Sequence, residues 1–195
     1  MMTMAQKNKL NIMEISCRSD IGGGPEQLFK IITNLKHVFT FFCACPNQEP
    51  YYNKIINEGI PVFKLPHRKF EIKSFLALLK WTKVNDIMVV HSHGRGAGVY
   101  ARLLKLFNKR LKVVHNFHGI HIEKKGLALI VARLLGVLTN KFVLVSRSEQ
   151  QIAVKYGLAS ASKCVLIENG IQIENGKQIE REELPVSEVF FESLP

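Results

Sequence analysis

Five of the seven histidines in this 195-residue chain lie between positions 91 and 121: His91, His93, His115, His118 and His121. Histidine titrates nearest to neutral pH, so the cluster suits proton handling, metal ligation or the polar lining of a substrate cleft. His91 and His93 are two apart and share one face if both lie on a strand. A catalytic zinc site needs three protein ligands and an open position. No Asp or Glu flanks these histidines and none of the four cysteines is near, so no metal or other cofactor is expected and cleft lining is the better reading. Ser92 has no neighbouring carboxylate to orient a histidine base, and there is no G-x-S-x-G elbow, so a nucleophilic triad is not expected. His37 and His67 read as ordinary surface residues.

A second feature is the run Gly22-Gly23-Gly24 before Pro25. It is not the dinucleotide fingerprint G-x-G-x-x-G, and the run that follows ends Cys43-Ala44-Cys45 without the acidic residue that reads a ribose. The glycines allow positive φ and close backbone approach, and the helix start behind them offers N–H groups to an anion. The alternative is a tight turn that only needs small residues. No P-loop is present, and Cys43-x-Cys45 is explained by alternation along a strand.

These residues fall at the ends of elements. Leu10–Ser16 reads as a strand, the glycine turn follows, and Leu28, Phe29, Ile31, Ile32 and Leu35 give the next helix an apolar face. Strands are predicted over Val38–Cys45, Ile60–Leu65, Asp86–His91, Lys112–Phe117, Phe142–Ser146 and Val165–Glu168. Helices are predicted over Tyr51–Asn57, around Phe75–Val84, from a Gly94–Gly98 turn through Phe107, over Leu127–Leu138 and over Ser148–Tyr156. The alternation predicts an α/β fold: a doubly wound, Rossmann-like, mostly parallel sheet of six to seven strands. Ligands of such sheets collect at the carboxyl ends of strands, and Gly22–Gly24, His91, His93, His118-Gly119 and Ser146 all follow strands directly.

The formal net charge is +11 and unevenly placed: residues 1–173 carry +15, and 174–195 carry −4. The basic body calls for an anionic partner, such as nucleic acid, a membrane surface or a phosphorylated small molecule. Zinc-finger spacings and aromatic-basic RNA signatures are missing, so no nucleic acid is expected. The start lacks a signal-peptide pattern, and the longest apolar stretch, Leu127 to Thr139, falls short of the about 20 residues of a membrane span. A reducing, cytoplasmic compartment is expected. Docking on the cytoplasmic face of an anionic membrane would use the basic runs Lys64–Lys83 and Arg102–Lys112.

In order and spacing, the segments ISCRSDIGGGPEQLFKII, VVHSHGRGAGVYARLL, VVHNFHGIH, FVLVSRSEQQIAVKYGL and CVLIENGIQ resemble the N-terminal domain of retaining family-4 glycosyltransferases. The resemblance covers residues 10–173 and implies one half of a GT-B fold, with a domain over 1–173 and an acidic tail or linker over 174–195. It implies transfer from a nucleotide-sugar donor to a saccharide or lipid-linked acceptor in glycan biosynthesis, without a bound metal. By position, His118 is the catalytic candidate; Gly22, Gly23, Gly24, His91, His93, Arg95, Gly119 and Ser146 line the substrate site. The family's donor-binding domain, with its E-x7-E motif, has no counterpart: Glu180 and Glu188 have that spacing by accident, and Ile167–Ile171 leads toward a linker. The donor is thus expected to bind only with a second domain, and the isolated chain to be inactive or weakly active. A non-catalytic module pairing with a separate donor domain, or a small nucleotide- or nucleic-acid-binding α/β domain, are the alternatives.

Overall fold

A computed structural model describes residues 9–120 and 126–168. His121, the Asn169-Gly170-Ile171 part of the linker motif and the acidic stretch 174–195 lie outside the described residues. Seven strands form one sheet: β1 (Asn11–Ser16), β2 (Thr40–Cys45), β3 (Val62–Lys64), β4 (Val89–His93), β5 (Lys112–Asn116), β6 (Lys141–Leu144) and β7 (Cys164–Leu166). They are joined by α1 (Gly23–Leu35), α2 (Tyr51–Asn57), α3 (Ile72–Val84), α4 (Gly94–Phe107), α5 (Leu127–Gly136) and α6 (Arg147–Lys155). The strand order is β3-β2-β1-β4-β5-β6-β7, and every pairing is parallel. The expected Rossmann-like doubly wound sheet is therefore present, with its switch point between β1 and β4.

The central strands are buried on both faces, so their apolar residues run continuously rather than alternating with polar ones. On one face Ile12, Cys43, Cys45, Val89 and Val114 pack with Leu28 and Ile32 of α1 and Ile55 of α2. On the other, Met13, Ile15, Val90 and Val113 pack with Phe75 and Leu78 of α3 and Ala97, Tyr100 and Leu104 of α4. Cys43 and Cys45 are core residues of one strand face, as alternation requires.

Three expectations need correction. The fourth strand runs on to His93 rather than ending at His91, because β1 and β5 bracket it and pair with it to its last residue. Gly94–Gly98 is no turn: α4 starts at Gly94 directly after the strand. Gly94 takes a left-handed φ of +79, and Gly96 and Gly98 serve packing. A Cβ on Gly96 would lie 3.1 Å from Cys17 Sγ, and one on Gly98 would lie 2.6 Å from His115 Cε1 and 2.9 Å from Arg102 Nη1. Arg102, expected in a solvated basic run, is buried and donates to Thr139 Oγ1 at 2.9 Å. It lies 5.9 Å from the Phe142 ring centroid.

Candidate functional site

Alternation puts Glu14 of β1 and His91 and His93 of β4 on the sheet face covered by α1, just below the carboxyl edge at the switch point. Glu14 sits opposite His91 in the parallel register, and all three are buried. His93 Nε2 lies 2.6 Å from Glu14 Oε2, and His91 Nδ1 lies 3.1 Å from Glu14 Oε1. A carboxylate only accepts, so both ring nitrogens donate. Burial alone would push the Glu14 carboxyl up; attraction to His91, with hydrogen bonds from both histidines, overcomes it and holds the group at about 2. Glu14 is therefore ionised. The expectation that no carboxylate stands near these histidines is overturned: one reaches them from 77 residues away.

The three side chains bring ligand-type atoms within 4.8 Å of one another. Their pairing distances are those of hydrogen bonds. Nitrogen or oxygen ligands around one tetrahedral zinc would stand about 3.3 Å apart.

The chain of contacts continues outward. His93 Nδ1 lies 2.9 Å from His118 Nε2. Since His93 donates through Nε2 to the carboxylate, its Nδ1 is the acceptor and His118 Nε2–H donates. Burial, together with repulsion between the rings, lowers the pKa of His93 and draws His118 down to about 3, so both are neutral. His118 has φ +53, in the left-handed region, and its N–H donates to Asn116 Oδ1 at 3.3 Å. Asn116 Nδ2 donates to Gln27 Oε1 of α1, tying this turn to the helix behind the glycines. The bent backbone turns the His118 ring back toward β4.

The loop has one more anchor, which the sequence reading missed. The buried Glu149 carboxylate accepts from Gly119 N at 2.9 Å and from Val145 N at 3.0 Å. Ser146 caps α6 by accepting from Glu149 N at 3.2 Å, half of a capping box, while the Glu149 carboxylate reaches back one residue further, to Val145 N. Ser146 thus acts on the His118 loop through Glu149, and S-x-x-E directly after a strand was the available signal.

Gly24 meets His118: a Cβ there would lie 3.5 Å from His118 Cδ2. A Cβ on Gly23 would meet nothing within 4 Å, and one on Gly22 only the flexible end of Arg18 at 3.4 Å. None of the three has a left-handed φ. Backbone conformation and tight packing therefore do not demand glycine at these positions; Gly24 touches the His118 ring and Gly23 is exposed. Arg95 is exposed on the first turn of α4 and makes no contact with this cluster. Ser92 and His115 face the opposite way, paired at 2.9 Å with no carboxylate in the pair. His67 is half-buried rather than a surface residue, with Nδ1 at 2.9 Å from Gln48 Nε2.

Comparison with known proteins agrees with the fold. The family model for Glycosyltransferase Family 4 matches residues 28–175. The Escherichia coli O-antigen biosynthesis glycosyltransferase WbnH is 25% identical over 165 residues, covering 83% of this chain and 49% of the relative. The crystal structure of Anabaena HepE in complex with UDP and glucose superimposes with a TM-score of 0.69 at 16% identity, covering 83% of this chain and 45% of that one. The apo lipopolysaccharide outer core galactosyltransferase WaaB gives 0.63 at 13% identity, over 88% and 50%. The chain spans about half the length of the relatives it matches.

Proposed function

This chain belongs to glycosyltransferase family 4, and from that premise we propose that it is the acceptor-side half of an enzyme moving a sugar from a nucleotide-sugar donor to a saccharide or lipid-linked acceptor. The unit runs over residues 1–173, and the acidic stretch 174–195 leads toward a donor-binding half. In the transfer the acceptor hydroxyl oxygen bonds to the anomeric carbon. The bond from that carbon to the diphosphate breaks with its electron pair, and the hydroxyl proton leaves with the nucleotide. His118, neutral and pinned at the carboxyl edge, contributes a positioning hydrogen bond to the donor sugar. Gly22, Gly23 and Gly24 let the ligand approach the α1 backbone, while His91 and His93 support the floor of the site.

The observation that carries this reading is the contact of Gly24, at the start of α1, with the neutral His118 ring, next to the exposed Gly23. Chain 1–195 assayed alone with UDP-glucose is expected to show no family-like turnover. Supplying a donor-binding half should restore it. Robust turnover by the chain alone, abolished by His118→Ala, would refute the half-enzyme reading.

Docking on an anionic membrane belongs to the same proposal. Among the described residues no helix is long and apolar enough to cross a membrane. The expected basic runs do carry exposed apolar groups beside their lysines: Phe70, Ile72 and Leu76 near Lys69, Lys73 and Lys80, and Leu106 and Phe107 near Lys109 and Arg110. Apolar insertion flanked by cations is the chemistry of interfacial attachment.

A further inference from the structure

We propose that Glu14, acting through His93, is a positioning residue that fixes His118 in one tautomer and so makes its Nδ1 a hydrogen-bond acceptor for a sugar hydroxyl. This rests on the glycosyltransferase reading for the identity of the hydroxyl, and for the tautomer on the hydrogen-bond geometry together with the ionised Glu14 and neutral rings described above. The relay has one free choice, and Glu14 removes it. An isolated pair of neutral imidazoles can share a hydrogen bond in either direction. Here the inner ring is tied at its far nitrogen to a carboxylate, 2.6 Å away, that has no proton to give. His93 must therefore carry its proton on Nε2 and present a lone pair at Nδ1. His118 must then carry its proton on Nε2, 2.9 Å away. The atom left over is His118 Nδ1, which bears a lone pair. Gly24 lies against the Cδ2–Nε2 side of the same ring, the side already committed to His93. His91, at 3.1 Å, holds Glu14 from the other side, so the carboxylate cannot swing out of line.

The polarity has a functional consequence. A ring that accepts at Nδ1 orients a hydroxyl by receiving its proton, and it discriminates against a ligand lacking that hydroxyl, because a lone pair would then be left unmatched in a partly buried site. A reversed relay would present an N–H to the same hydroxyl and turn it the other way.

The relay is read directly by long-range 1H–15N correlation on the 195-residue chain with 15N-labelled histidine at pH 7.5. His118 and His93 are both expected as single Nε2–H tautomers, with unprotonated Nδ1 shifts. Glu14→Gln places an amide where one carboxylate oxygen was, so the histidine that meets the NH2 group must change from donor to acceptor; a Nδ1–H population of His118 is expected to appear. His93→Asn cuts the link and should also release His118 into a tautomer mixture. A wild-type His118 protonated on Nδ1, or one whose tautomer both variants leave unchanged, overturns the relay. Should a variant fail to fold, the wild-type spectrum alone decides. With a donor-binding half and UDP-glucose as probe, Glu14→Gln should lower kcat at least 10-fold, with the backbone spectrum otherwise retained. Unchanged kcat beside an altered tautomer would overturn the positioning role. Failure of the glycosyltransferase reading is distinct, because the wild-type pair would then transfer nothing while the tautomer result still stood.

Discussion

At the scale of single residues, the site is a buried charge with its neutral partners stacked outward to the cleft: Glu14, then His93, then His118. This makes stability depend on pH with a definite sign. His93, His115 and His118 all have lowered folded pKa values, with burial the first cause in each. Below the unfolded value near 6.5, the unfolded chain takes up protons that the fold refuses. Each such histidine then removes up to about 1.4 kcal/mol of stability per pH unit. Glu14, lowered to about 2, adds stability that is full above its unfolded value and is lost as pH falls toward 2. Both effects weaken the fold in acid. Denaturant midpoints should hold between pH 8 and 7 and fall steeply from 6.5 to 4.5; a flat profile over that range would contradict neutral buried histidines. His118→Ala, assayed with a donor-binding half, should cut turnover by about 100-fold at an unchanged melting temperature. Activity that falls only in step with stability would make His118 a loop-holding residue. The histidines were legible in the sequence because they follow strands. Glu14 was not, because its partners are far away in the chain and no period-two pattern says which strand becomes the neighbour of β1. An acidic residue inside Ile12-Met13-Glu14-Ile15 was nevertheless the clue, since a buried carboxylate demands partners.

At the scale of elements, the glycines divide into two kinds. Gly98 lets α4 approach β5, and the Gly98→Ala methyl would meet His115 and the buried Arg102 at under 3.0 Å. We expect it to destabilise by about 1–3 kcal/mol, measured by denaturant titration. Gly23→Ala points into open space at the start of α1, and its stability should stay within about 0.5 kcal/mol or rise slightly. Its transfer activity with a donor-binding half should nonetheless drop several-fold. Equal stability losses in the two variants would remove the distinction. The parallel sheet was readable because strand runs such as Val89-Val90 and Val113-Val114 are apolar on both faces and alternate with helical periodicity. The start of α4 was misread because Gly94, Gly96 and Gly98 have the composition of a loop, and only three-dimensional packing explains two of them.

At the scale of the whole molecule, a basic body with exposed aromatic and aliphatic groups on α3 and the end of α4 should bind anionic vesicles. Phosphatidylglycerol liposomes are expected to sediment the chain at low salt, and replacing Lys73, Lys80 and Lys83 by Glu should release it. Each cation contributes about 1 kcal/mol near such a surface, and the attraction fades as salt shortens the screening length. Binding to neutral and anionic liposomes alike would argue against this face. The order β3-β2-β1-β4 also has a consequence in time. Glu14 leaves the ribosome 79 residues ahead of His93. At about 5–20 residues per second, the carboxylate therefore waits about 4–16 s for its partner. Until β4 arrives, β1 has a neighbour on one side only, and burying Glu14 would strand a charge. Closure of the first three strands of a nascent chain should thus be delayed by a single acid, and a stalled chain whose emerged part ends near residue 80 should remain open to protease at β1 while one whose emerged part extends past β5 should not.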